Sequence, residues 1–125
     1  MAKTPTTCLT ISDVPFGEEV TAGELVGWSN NQLVLACGAL GTTIAAAGVA
    51  AAAYKSGDRG AIHLVAEISG FAGLDAGATQ YLSLDTPGGI QSALPAGAGN
   101  LKQVVGYAAA PDRIAFIPEV GGTVL

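Results

Sequence analysis

One stretch of this chain occurs twice, and a recurrence constrains a fold more than any local propensity does. The clearer copy runs Leu74-Asp75-Ala76-Gly77-Ala78-Thr79-Gln80-Tyr81-Leu82-Ser83-Leu84. It passes a Gly-rich turn and resumes at Val104-Val105-Gly106-Tyr107-Ala108-Ala109-Ala110-Pro111-Asp112-Arg113-Ile114-Ala115-Phe116-Ile117. The other copy holds Val20-Thr21-Ala22-Gly23-Glu24-Leu25-Val26-Gly27-Trp28, then Gly48-Val49-Ala50-Ala51, a charged turn over residues 55–60, and Ala61-Ile62-His63-Leu64. Ala22-Gly23 precedes Ala76-Gly77 by about 54 positions, and Gly48-Val49 precedes Gly106-Tyr107 by about 58, so one small insertion aligns the copies. At 125 residues the chain has the size of one domain. The expectation is two similar halves, about residues 20–68 and 74–118, closing one core with pseudo-two-fold symmetry.

Local patterns place strands on this frame. Cys8-Leu9-Thr10-Ile11-Ser12 is β-branched and alternating, and Pro15 and Gly17 mark a turn after it. Residues 24–28 and 32–37 are apolar runs joined by Ser29-Asn30-Asn31, which predicts a hairpin. Residues 61–68 alternate, with Ile62, Leu64, Ala66 and Ile68 on an expected core face. Residues 79–84 and 90–93 flank the turn Asp85-Thr86-Pro87-Gly88-Gly89, and residues 103–109 and 113–117 flank Pro111-Asp112. The Ala-rich run before Tyr54 is ambiguous. Ala favours helix, Gly48 opposes it, and Pro111 leaves no room for a helix in the other copy, so 48–54 is read as strand, with a helical turn near 42–47 left open. Pro118 and Gly121-Gly122 are read as the end of the ordered domain. Short strands between Gly and Pro turns indicate an all-β sandwich or barrel over residues 8–125. Residues 1–7, polar and broken by Pro5, are read as a flexible arm that a partner orders.

Charge narrows the partners. Charged residues make up 12% of the chain, about half the usual share, and the net charge is −5. A surface so poor in charge and rich in Ala and Gly suits burial against other chains, which favours an oligomer. The five Lys and Arg form no cluster, so nucleic acid is not an expected partner. No apolar run reaches the ~20 residues a spanning helix needs, so no membrane partner is expected. Met1-Ala2-Lys3-Thr4-Pro5 leads into polar threonines, which does not predict a secretory leader.

No residue set announces chemistry. His63 is the one histidine and has no spaced Ser or Cys partner in a recognisable motif. Cys8 and Cys37 read as reduced thiols, with a bridge between them left open. No metal or cofactor site is expected, and no activity as an enzyme. Lys55 in a turn invites comparison with a lipoyl-like carrier but lacks the carrier's flanking residues. Trp28 is read as a core anchor or an interface anchor, with the core reading slightly favoured. The remaining candidates are contacts: Asp58 and Arg59, Asp112 and Arg113 in the matching turns, and Thr4, Pro5 and Thr6 of the arm, which could add a strand to a neighbour.

These residues resemble a family. Ala76-Gly77, Tyr81-Leu82-Ser83, Pro87-Gly88-Gly89-Ile90, Val104-Val105-Gly106-Tyr107-Ala108 and Ile114-Ala115-Phe116-Ile117-Pro118 are similar to a module of tailed-phage structural proteins. Val20-Thr21-Ala22-Gly23-Glu24-Leu25-Val26, with Gly48-Val49-Ala50 and Ala61-Ile62-His63-Leu64, resembles small capsid cement or decoration proteins. The resemblance covers roughly residues 18–118. It implies a non-enzymatic virion protein, made in the host cytoplasm, that docks on the outside of an icosahedral shell. Its partners would be major capsid protein subunits, which it ties together, and itself, as a homotrimer. Related modules also occur in tail and fibre proteins, and that alternative stays open.

Overall fold

The structure is a computed structural model that describes residues 3–125; of residues 6–8 it describes the backbone alone. The described residues are all-β, with no helix. Eleven strands form in chain order: β1 (Thr4–Pro15), β2 (Leu25–Ser29), β3 (Gln32–Leu35), β4 (Gly48–Ala50), β5 (Arg59–Ser69), β6 (Thr79–Leu82), β7 (Ile90–Gln91), β8 (Leu101–Lys102), β9 (Val104–Ala110), β10 (Arg113–Phe116) and β11 (Thr123–Val124). Nine of them make one curled sheet in the order β3-β2-β4-β5-β10-β9-β6-β7, with β1 on β5, and β11 pairs with β8 in a small second sheet.

That order is a palindrome. The first half reads β3-β2-β4-β5 inward from its edge, and the second reads β7-β6-β9-β10 inward from the other. The halves meet where β10 pairs antiparallel with the end of β5, Arg113 opposite Ser69 and Phe116 opposite Ala66. The match extends to single hydrogen bonds. The Gly23 amide donates to the Ala50 carbonyl at 2.9 Å and the Gly77 amide to the Ala108 carbonyl at 2.7 Å. Ala50 donates to the Glu24 carbonyl at 2.9 Å, and Ala108 donates to the Ala78 carbonyl at 2.9 Å. Both glycines sit in a turn at φ 85° and 86°, a conformation that costs other residues energy. The fold is therefore built from two similar halves.

Two cores fill it. One draws Leu25, Val49, Ala66 and Ile68 from the first half and Leu82, Val105, Ile114 and Phe116 from the second. The other belongs to the first half and β1: Phe16, Val20, Val26, Leu33, Ala50 and Ile62, with Ile11, Val14 and Tyr54 packed against them. Phe16 follows β1 and bridges Leu33 on β3, so the first half curls back on itself around this second core. Phe16 stacks on Tyr54 with ring centroids 4.5 Å apart.

β5 explains how one strand feeds two cores. Residues 62, 64, 66 and 68 do not share one face, as simple alternation predicted. Leu9 pairs with Val65 and Thr10 with His63, which leaves Leu64 as an extra residue in β5. Such a bulge reverses the in-out sequence of side chains. Ile62 and Leu64 thus pack on the first-half core, whereas Ala66 and Ile68 pack on the shared one. Two further shifts lie in β1, one between Thr7 and Leu9 and one between Ile11 and Val14, where Asp13 takes φ 59°.

Three other segments differ from expectation. The backbone of residues 4–7 is the leading end of β1, Thr4 opposite Ser69, instead of a separate arm, and the Lys3 ammonium lies 5.1 Å from the Phe71 ring centroid. The 42–47 stretch takes no helical turn. The Ala47 amide donates to the Val26 carbonyl at 2.8 Å, and both backbone groups of Ala46 bond the Gln103 side chain, so tertiary partners override the helix preference of Ala. Order also continues past Gly121-Gly122, because β11 pairs with β8 and the Leu125 amide donates to Asn100 at 2.8 Å.

Candidate interaction surface

The contact candidates do not form one site. Arg59 opens β5, and Arg113 stands opposite Ser69 at its far end. Ten residues at ~3.3 Å each separate the two ends, about 33 Å. Thr4, Pro5 and Thr6 pair with Ser69, Ile68 and Glu67, so they share the Arg113 end, where β5 lies between β1 and β10. The Thr6 side chain lies outside the described residues. Thr4 is exposed, and its carbonyl accepts from the Ser69 hydroxyl at 3.3 Å.

Each arginine is engaged within the chain. Arg59 Nε donates to Asp13 Oδ1 at 2.7 Å and its Nη2 to the Asp13 carbonyl at 2.6 Å, which clamps the Asp13 bulge. Arg113 reaches Glu67 at 3.2 Å and Asp112 at 3.6 Å. All five side chains are 44–81% exposed, so each pair contributes no more than about 1 kcal/mol. Asp58 and Asp112 act as turn residues. The Asp58 carboxylate accepts from the Lys55 amide at 2.8 Å, and the carbonyls of Asp58 and Asp112 accept from Phe16 and Phe71.

A different surface stands out, and Trp28 is at its centre. Trp28 is not a core anchor: it is 48% exposed at the end of β2. It lines an open groove of about 380 Å³ with Ala45, Ala46 and Ala47 on one wall and Pro118, Glu119 and Val120 on the other. Val120 is fully exposed and Ile117 half so.

The walls are fastened by one buried amide. Gln103 is 0% exposed. Its Oε1 accepts from the Ala46 amide at 2.7 Å, and its Nε2 donates to the carbonyls of Ala46 and Glu119, both at 2.9 Å. Glu119 locks the second wall further, since its carboxylate accepts from the Val104 amide at 3.0 Å. A low-charge groove with an exposed Trp and fixed walls has the composition of a protein contact, where Trp is enriched and immobilised walls spare ordering entropy. The interface reading of Trp28 was open in the sequence, but the groove around it was not legible, because Gln103 carries no motif and its partners lie 57 and 16 positions away.

His63 lies elsewhere, 9% exposed, with Nδ1 2.9 Å from the Thr10 hydroxyl. Burial pushes its pKa below the ordinary 6.5. Cys37 is a buried free thiol, and the Cys8 side chain lies outside the described residues. Lys55 lines a shallow groove with Glu19, Thr21, Tyr54 and Asp58. Among the described residues no group of three or more His, Cys, Asp or Glu is placed to hold a metal, and no helix is long and apolar enough to cross a membrane. In comparisons with known proteins the chain matches no family model and no curated protein.

Proposed function

We propose that this chain is a virion structural protein, a capsid cement or decoration protein of a tailed phage. In this reading it binds the outer surface of the icosahedral head as a homotrimer and ties adjacent major capsid protein subunits together. The observation that carries the reading is the apolar groove around Trp28, whose walls are fixed before any partner arrives. The low charge of the chain and the motifs that resemble cement proteins support it as well. The Trp28 ring would anchor in the coat, with residues 45–47 and 118–120 excluding water around it.

Sedimentation with assembled capsids tests the proposal. The chain is expected to co-sediment with expanded shells and not with free coat subunits. Trp28→Ala should weaken shell binding at least tenfold and leave the melting midpoint within about 2 °C, because a half-exposed side chain carries little of the core. Equal binding to free subunits, or a Trp28→Ala variant that binds like the parent, would contradict it.

A further inference from the structure

β8 and β11 form a sheet of two strands apart from the nine-stranded one. β11 closes on β8 through two residue pairs, Thr123 opposite Lys102 and Val124 opposite Leu101. The next residue adds two bonds. The Leu125 amide donates to the Asn100 carbonyl at 2.8 Å, and the Gly99 amide donates to the Leu125 carbonyl at 2.7 Å. These contacts are all main chain. Neither core includes a residue from 121–125, and the side chains of Thr123, Val124 and Leu125 are exposed.

The strand is reached through Gly121 and Gly122, at φ 75° and 65°. Two consecutive left-handed residues reverse the chain sharply, in a conformation that glycine takes freely and other residues resist. Just before them Glu119 is fixed, by Gln103 at its carbonyl and by the Val104 amide at its carboxylate. The segment is therefore an anchored stem, a two-residue hinge and a strand held by backbone alone. Backbone bonds do not discriminate between copies of a chain. The β11 of a second copy would satisfy the same groups of β8 and of residues 99–100 in the same register. Such a crossing would also lay a neighbour against Val120 and Val124, which one chain leaves exposed.

We propose that β11 is an exchangeable strand: in the assembled protein β8 of one copy takes β11 of a second copy, and the Gly121-Gly122 hinge sets the balance between closed chain and exchanged assembly. The contact is heterologous, one copy giving the strand and the next receiving it, so it closes as a ring of copies. It deepens the self-association of the reading above and does not depend on a shell. The closed chain pairs intramolecularly, so exchange grows with protein concentration.

Cross-linking between two variants tests the exchange. Lys102→Cys and Thr123→Cys, each with both native cysteines replaced by Ala, are mixed in equal amounts and oxidised. Directly opposed residues of an antiparallel pair lie within disulfide reach. Mass spectrometry should find residue 102 of one copy joined to residue 123 of another, at least about tenfold above the same mixture with Thr79→Cys in place of Thr123→Cys. Gly121→Ala meets no atom within 4 Å, so it penalises the reversal through its positive φ alone. At limiting protein concentration it should raise the yield about tenfold. By light scattering, the parent should be an oligomer and the chain without residues 121–125 a monomer. No link above the control, a yield that Gly121→Ala does not raise, or an oligomer that persists without residues 121–125 would overturn the proposal. If the cysteine variants do not fold, the light-scattering comparison decides on the otherwise native chain. None of these mixtures contains a capsid shell, so their failure leaves the shell-binding proposal to its own test.

Discussion

In the first half of the molecule the sheet is buried on both faces, whereas in the second half it is buried on one. β2 shows the first case, with Leu25 on the shared core and its neighbour Val26 on the first-half core. β9 shows the second, with Val105 buried and Tyr107 47% exposed. The hydrogen-bond frame is the same in both, down to the Gly23 and Gly77 turns. The difference is β1, which covers one half and has no counterpart on the other. A repeated backbone frame therefore does not fix burial; an added strand and a bulge decide which faces close.

The largest effect expected from breaking this comparison comes from the two phenylalanines. Phe116→Ala empties the core both halves share and should cost about 3–5 kcal/mol. Exchange protection should fall together in β4 and β9. Phe16→Ala removes a similar volume from the first-half core and should lower protection first in β1 through β4, leaving β6 and β9 higher. Equal losses everywhere in both variants would show that the cores are one cooperative unit.

Gln103→Leu comes next. It leaves the Ala46 amide and the carbonyls of Ala46 and Glu119 without that partner, and should cost about 2–3 kcal/mol in urea denaturation. It should also loosen the Trp28 groove, seen as a red shift of Trp28 fluorescence.

The matched turns give a finer test. Gly77→Ala meets no atom within 4 Å and should cost about 1 kcal/mol from its positive φ alone. Gly23→Ala has the same backbone strain, but its Cβ would lie 2.5 Å from Lys3 Cβ, so it should cost more. Removing residues 1–3 should bring the two variants to the same melting shift.

The smallest effect is the pH dependence of stability. His63 has a folded-state pKa below 6.5, so the folded chain binds fewer protons than the unfolded one in that range. Stability should be full above about pH 6.5 and fall as pH drops toward the folded-state value, and His63→Gln should abolish that part of the slope.

What was legible in the sequence was local or repeated. Ser29-Asn30-Asn31 announced the β2–β3 hairpin, and Asn30 and Asn31 take φ 51° and 64°, as that tight turn requires. The paired Gly23 and Gly77 landmarks fixed the two halves. What was not legible depends on distant partners. Alternation cannot reveal a bulge that β1 imposes at Leu64, and it misassigned the faces of β5. Nothing near Ala46 says that Gln103 holds it extended, nor near Trp28 that residues 118–120 form the wall beside it. The turns holding Asp58-Arg59 and Asp112-Arg113 were readable. That β5 sets them at opposite ends was not, because strand length came from pairing with β1 beyond the alternating stretch.

The most direct test of the central claim is where the chain sits in a native particle, read by a fused label or by density in an image reconstruction. As the proposed cement protein, the chain should stand on the outer face of the head, three copies around each local three-fold axis, with the Trp28 groove turned to the coat. Label along the tail or in fibres, or particles without the chain, would contradict it.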